Sequence, residues 1–106
     1  MEQGFQIINE FKQAVKEIYG SRLDKIVLYG SYARGDFHKE SDIDILVVLK
    51  DEEVSFTKEL ARVSDITWDI WEKTLVNIHF LPMAAKKFYT AKTPLLYWVR
   101  KEGKEI

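Results

Sequence analysis

Cysteine is absent from the 106 residues, which excludes a disulfide framework and any thiolate metal site. Long apolar runs are missing too. No stretch approaches the ~20 residues that span a bilayer, and the N-terminus lacks the pattern of a secretory signal. Neither sign of charge dominates, with 16 Lys and Arg against 17 Asp and Glu. A broad nucleic-acid surface needs clustered positive charge, so none is expected here. Internal repeats, low-complexity segments and linker-like stretches do not occur. What remains is 46% hydrophobic and 13% aromatic residues, the composition of a folded globular chain. One domain over residues 1–106, working in the cytoplasm, is the expectation.

Periodicity gives the elements. Phe5, Ile8, Phe11, Val15 and Ile18 recur at helical spacing over residues 5–19, and Gly20-Ser21 ends that helix. "KIVLY", 25–29, reads as a buried strand stopped by Gly30. "SYARGDFHKES" follows as a turn, a short helical start and a charged loop. "DIDILVVL", 42–49, is apolar on both faces beyond Asp44, the pattern of a buried central strand. A helix over 54–72 turns Leu60, Val63, Ile66, Thr67 and Ile70 inward. "LVNIHFL", 75–81, reads as a third strand, and two short helices, 83–89 and 95–101, follow Pro82. The fold class is therefore α/β (α+β), with three or more strands in a mixed sheet and helices packed on it.

Two features carry chemistry. Gly30-Ser31, at a strand-to-helix junction, is either an ordinary turn or a cradle whose backbone N–H groups converge on phosphate. Asp42 and Asp44 lie two apart on a strand and so point to one face. Two carboxylates held together resist double ionisation unless something positive lies between them. Mg2+, which takes oxygen ligands and is commonly shared with substrate phosphates, answers that need. The structural alternative is a turn cap at Asp42, with Asp44 at the strand edge or paired with Arg34 or Lys39. A hairpin-like return between the first two strands would bring cradle and carboxylates to one cleft, as metal-assisted nucleotidyl transfer requires.

"GSYARGDFHKESDIDILV" resembles the signature of the minimal nucleotidyltransferases of the DNA polymerase beta superfamily. Gly30, Ser31, Ala33, Arg34, Gly35, Ser41, Asp42 and Asp44 match it at the family's spacing. The resemblance implies a small nucleotidyltransferase fold that binds a nucleoside triphosphate, ATP in the first instance, through Mg2+. Gly30 and Ser31 would contact the triphosphate, and Asp42 and Asp44 would be the metal ligands and catalytic pair. It also implies a small helical HEPN-type partner in a toxin–antitoxin pair, with AMP transferred to that partner in some members. The family's third carboxylate, on the strand after the long helix, is missing. No Asp or Glu lies between Lys73 and Lys101, and Asn77 and His79 stand at the alternating positions instead. Asn77 could ligate weakly, and His79 could act as a base or be purely structural. The alternative function is accordingly a catalytically weak or inactive module that neutralises its partner by contact.

Arg34 could bind phosphate oxygens or pair with Asp36, Glu40 or a strand aspartate. Trp68 falls off the inward face of its helix, and "LLYWV", 95–99, is too rich in apolar residues for one short helix to bury. Either surface could seat a partner or a second copy of this chain, or fold over the sheet edge.

Overall fold

The computed structural model describes residues 3–106. Helix α1 (Gln3–Tyr19) leads through a short 3-10 turn, Gly20–Arg22, into β1 (Leu23–Tyr29). A four-residue helix, α2 (Ser31–Arg34), and a loop precede β2 (Ile43–Leu49). Then come α3 (Phe56–Thr74), β3 (Ile78–Ala84), α4 (Ala85–Thr90), α5 (Pro94–Glu102) and a two-residue β4 (Lys104–Glu105). The sheet runs β3-β2-β1-β4, with β2–β3 parallel and the other pairings antiparallel. It is the mixed sheet the sequence implies, in the α/β (α+β) class.

The central strand explains the two layers. Ile43, Ile45, Val47 and Leu49 face one way, beneath α1 and α3, against Phe11, Val15, Val63, Ile70 and Phe80. Leu46 and Val48 face the other way, against Met83, Phe88, Leu96 and Val99 beneath α4 and α5. Asp42 and Asp44 continue that second row to the end of the sheet. There α4 and α5 no longer cover it.

The structure departs from the sequence reading in four places. The third strand runs 78–84, three residues later than expected, and contains Pro82 opposite Val47. Proline is tolerated because β3 is an edge strand, where alternate N–H groups have no ladder partner. That shift delays α4 to residue 85. The tail adds β4, too short and too charged to show a strand pattern, and such brevity and charge suit an edge. On α3, Leu60 is 41% exposed while Glu59, at 3%, takes the inward position.

Caps set the helix ends. Ser55 accepts a hydrogen bond from the Lys58 N–H, and Thr93 from that of Leu96 with Pro94 as first helical residue. Leu96 and Val99 turn inward on α5, and Leu95, Tyr97 and Trp98 stay out. Among the described residues, no helix is long and apolar enough to cross a membrane.

Candidate active site

The turn after β1 is built around one glycine. Gly30 has φ 73 and ψ −154, a region that residues with a Cβ avoid, and its carbonyl accepts from the N–H groups of Ala33 and Arg34, each at 3.1 Å. A Cβ here would also overlap Oδ2 of Asp44. The backbone therefore lies directly against the carboxylate, and only glycine allows both conditions. Gly35, at φ 85, closes α2 by donating to the Ser31 carbonyl at 2.9 Å. Buried Tyr32 and Ala33 pin the little helix to the core. The Tyr32 ring stacks on Phe37 at 4.2 Å, and Phe5 packs edge-on to both. The loop that follows is stapled by Ser41, whose hydroxyl accepts from the His38 N–H at 2.9 Å.

Across the sheet, register does the positioning. Asp44 lies opposite Tyr29 on β1 and opposite His79 on β3. Asp44 Oδ1 sits 3.0 Å from His79 Nδ1, and Asp42 Oδ2 sits 3.2 Å from Nε2 of the same ring. Both carboxylates thus lie against a single imidazole, one at each of its nitrogens. Nδ1 and Asp44 Oδ1 form a hydrogen bond, while Nε2 and Asp42 Oδ2 lie within ion-pair distance, a contact that is ionic only with the ring protonated.

Burial pushes the Asp44 carboxyl above its ordinary range, and the charge on Asp42 adds to this; His79 and, more weakly, Arg34 oppose it. The Tyr29 hydroxyl is pushed up to about 12 by burial and by the Asp44 charge. A half-buried acid whose carboxyl stays above its ordinary range beside a second acid is compatible with a cation site.

The remaining expected residues separate. Arg34 is exposed and paired to Asp36 at 3.1 Å, with Glu102 at 4.0 Å. Asn77 lies just before β3, where its carbonyl accepts from the Ile43 N–H at 3.0 Å. It lines, with Ile78, Trp68 and Trp71, a hollow of about 490 Å³ rather than joining the two acids. His79 alone of the two third-position candidates meets both acids. Its bridging geometry was not legible in the sequence, because the parallel register that sets it depends on where β3 begins.

The donor set fits a hard divalent cation: two carboxylates on one strand face beside a single imidazole, backed by a turn whose glycine lies directly against Asp44. Among the described residues no three side chains form a closed metal cage. Mg2+ is typically held by one or two carboxylates plus substrate phosphates, so an open pair suffices.

A nucleotidyltransferase domain model matches residues 8–101. The chain belongs to the nucleotidyltransferase family. A Methanocaldococcus jannaschii protein assigned as a protein adenylyltransferase, MJ0141, is 37% identical over 95% of this chain and 96% of its own. A second from that organism, MJ0604, is 61% identical over 41 residues, or 39% of this chain and 41% of its own. Among solved structures, a nucleotidyltransferase-type protein of Sulfolobus solfataricus superposes with a TM-score of 0.67 at 22% identity, over 94% of this chain and 76% of that one. A chain of a toxin–antitoxin complex solved with AMP-PNP gives 0.62 at 24% identity, over 91% and 69%. These likenesses carry the fold. Within this member of the family, Gly30, Asp42, Asp44 and His79 are the candidate site.

Proposed function

We propose that this nucleotidyltransferase transfers AMP from ATP to a hydroxyl of a partner protein, in the manner of an antitoxin acting on a HEPN-type partner in the cytoplasm. The observation that carries the reading is the placement of Asp42 and Asp44 together against one imidazole, with Asp44 beside the Gly30 turn. The adenylyltransferase assignment of the relative and the AMP-PNP of the toxin–antitoxin neighbour support the choice of nucleotide and acceptor class.

Asp42 and Asp44 would hold Mg2+. When bound, the ion supplies positive charge to the phosphates and lowers the pKa of the attacking hydroxyl. Gly30 and Ser31 take the triphosphate, the first by close backbone approach and the second through its hydroxyl. The acceptor oxygen bonds to the α-phosphorus as the bond to the β-phosphate oxygen breaks, and pyrophosphate leaves. His79, once released from the acids as the neutral ring, would receive the hydroxyl proton at Nε2. Arg34 lies one turn from Ser31, where its guanidinium exchanges Asp36 for a phosphate oxygen.

A second reading is favoured by one observation: the imidazole already fills the gap between the acids. In that reading the site is closed upon itself, and the protein neutralises its partner by contact. ATP labelled at the α-phosphorus, incubated with the co-purifying protein, separates the two. Label passed to the partner by wild type but not by Asp42→Ala/Asp44→Ala establishes transfer. Absence of label, with the partner neutralised by both forms, establishes contact.

A further inference from the structure

Transfer of a phosphoryl-linked group proceeds with attacking and leaving oxygens roughly in line. That requirement gives the site two sides. Gly30-Ser31, which takes the triphosphate, follows β1 on one flank of Asp44. His79 stands on the opposite flank, on the edge strand β3. With the leaving pyrophosphate on the β1 side, the attacking hydroxyl must enter past β3.

The surface on that side is distinctive. Asn77 and Ile78, immediately before His79, form one wall of the hollow, and Ser64, Asp65, Thr67, Trp68 and Trp71 of α3 form the other. The two indoles lie 5.3 Å apart, tilted by 37°, so that an aliphatic or aromatic side chain can seat against both. Trp68 is 60% exposed, and Leu75 at the end of α3 is 74% exposed. Large exposed aromatics are the residues most enriched at binding hot spots. Asp65 lines the hollow, and Glu72 lies one turn beyond Trp68 on the same helical face. Two carboxylates there repel a phosphate backbone and attract a cationic peptide, whose Lys or Arg can also stack on indole. The hollow lies on the α3 face of the sheet and the acids on the other, but β3 is an edge strand. A chain anchored in the hollow therefore turns over that edge to reach His79, two strand residues (about 7 Å) beyond Asn77.

We infer that the Trp68–Trp71 hollow is the acceptor-docking surface, and that the acceptor is a protein segment with an apolar anchor and cationic flanks around its target hydroxyl. This rests on the transfer reading given above.

The test uses two pools of short peptides containing Tyr, Ser and Thr, one flanked by arginine and one by glutamate, with Mg2+ and ATP labelled at the α-phosphorus. Wild type labels the arginine-flanked pool at least about tenfold more than the other. Trp68→Ser/Trp71→Ser loses about tenfold of that labelling while binding of α,β-methylene ATP stays unchanged. Asp65→Lys/Glu72→Lys, at exposed positions, inverts the preference between pools. Equal labelling of the pools, or full labelling by the tryptophan variant, overturns the inference. Docking is also read without nucleotide, as a shift in tryptophan fluorescence on adding the arginine-flanked pool. A shift that survives in the tryptophan variant, or is absent from wild type, overturns the docking surface. Failure of wild type to bind α,β-methylene ATP with Mg2+ overturns the transfer reading instead.

Discussion

Two clusters of charge sit at opposite ends of the same pair of strands, and they are built on opposite principles. Beyond the ends of β2 and β3, Glu59 is almost fully buried yet richly supplied. It accepts from the Tyr19 hydroxyl at 2.9 Å and from Arg62 Nε at 2.8 Å, with Arg22 at 3.6 Å. Arg22 is held in turn by Asp51 at 3.1 Å. Burial pushes the Glu59 carboxyl up, but those donors and the two guanidinium charges outweigh it and leave it below its ordinary value. At the other end Asp44 shares one imidazole with Asp42 and ends above its ordinary value. The larger hollow, about 890 Å³, adjoins the Glu59 cluster, and size would point there first. The direction of the two carboxyl shifts points the other way. A carboxylate whose needs are met by the protein holds the fold together, and one left above its ordinary value is the candidate for a ligand.

The sharpest break between the ends is functional. Asp42→Ala/Asp44→Ala removes both proposed cation ligands and lowers AMP transfer to the co-purifying partner by about 1000-fold or more, equivalent to roughly 4 kcal/mol of barrier. Thermal unfolding of that variant is no lower than wild type, because the cost of burying the Asp44 charge outweighs its hydrogen bond to His79. A double variant that unfolds early would show that the acids are structural and would erase the contrast.

Glu59→Ala does the reverse. It strips the acceptor from Tyr19, Arg22 and Arg62, whose guanidinium groups are half-exposed and can recover water. The cost is therefore toward the low end for a broken buried pair, about 2–3 kcal/mol, or on the order of 10–20 °C in Tm. At low temperature, where the variant is folded, its affinity for Mg2+ and α,β-methylene ATP matches wild type.

Gly30→Ala joins the two kinds of effect. The positive φ costs roughly 1 kcal/mol of stability, and the new methyl displaces the Asp44 carboxylate from its position. Calorimetric titration with Mg2+ and α,β-methylene ATP is expected to show about tenfold weaker binding.

The sequence carried much of this, and the limits of what it carried are physical. Motif spacing names Gly30, Asp42 and Asp44 because each is tied to a backbone event: a positive φ, or side chains two apart on one strand. The apolar run 43–49 announces a central strand because both its faces are covered. Glu59 was invisible, since its burial depends on Tyr19, Arg22 and Arg62 arriving from separate elements. β4 was invisible because two charged residues have no period. The start of β3 was misread by three residues, because apolar alternation continues through 75–81 and only the edge position of the strand makes Pro82 acceptable. His79 was named as a substitute for the third carboxylate, while its contact with both acids needed the register.

The smallest effect separates the two carboxylates most directly. Asp44 has a folded pKa above the 3.8 of a free carboxyl, so its ionisation costs stability: the cost is fully present above the folded pKa and vanishes below 3.8. Glu59 has a folded pKa below 4.5, so its contribution is present above 4.5 and is lost as the pH falls through the folded value. Asp44→Asn should therefore raise Tm at neutral pH, by on the order of 2 °C, and Glu59→Gln should lower it. In acid, below both folded values, each carboxyl is neutral in the wild type as well, and both differences shrink. Saturating Mg2+ with α,β-methylene ATP stabilises wild type at neutral pH but not Asp44→Asn, so it reverses their order. An Asp44→Asn protein less stable than wild type without ligand would mean that His79 already satisfies Asp44, and that the two ends of the sheet are alike.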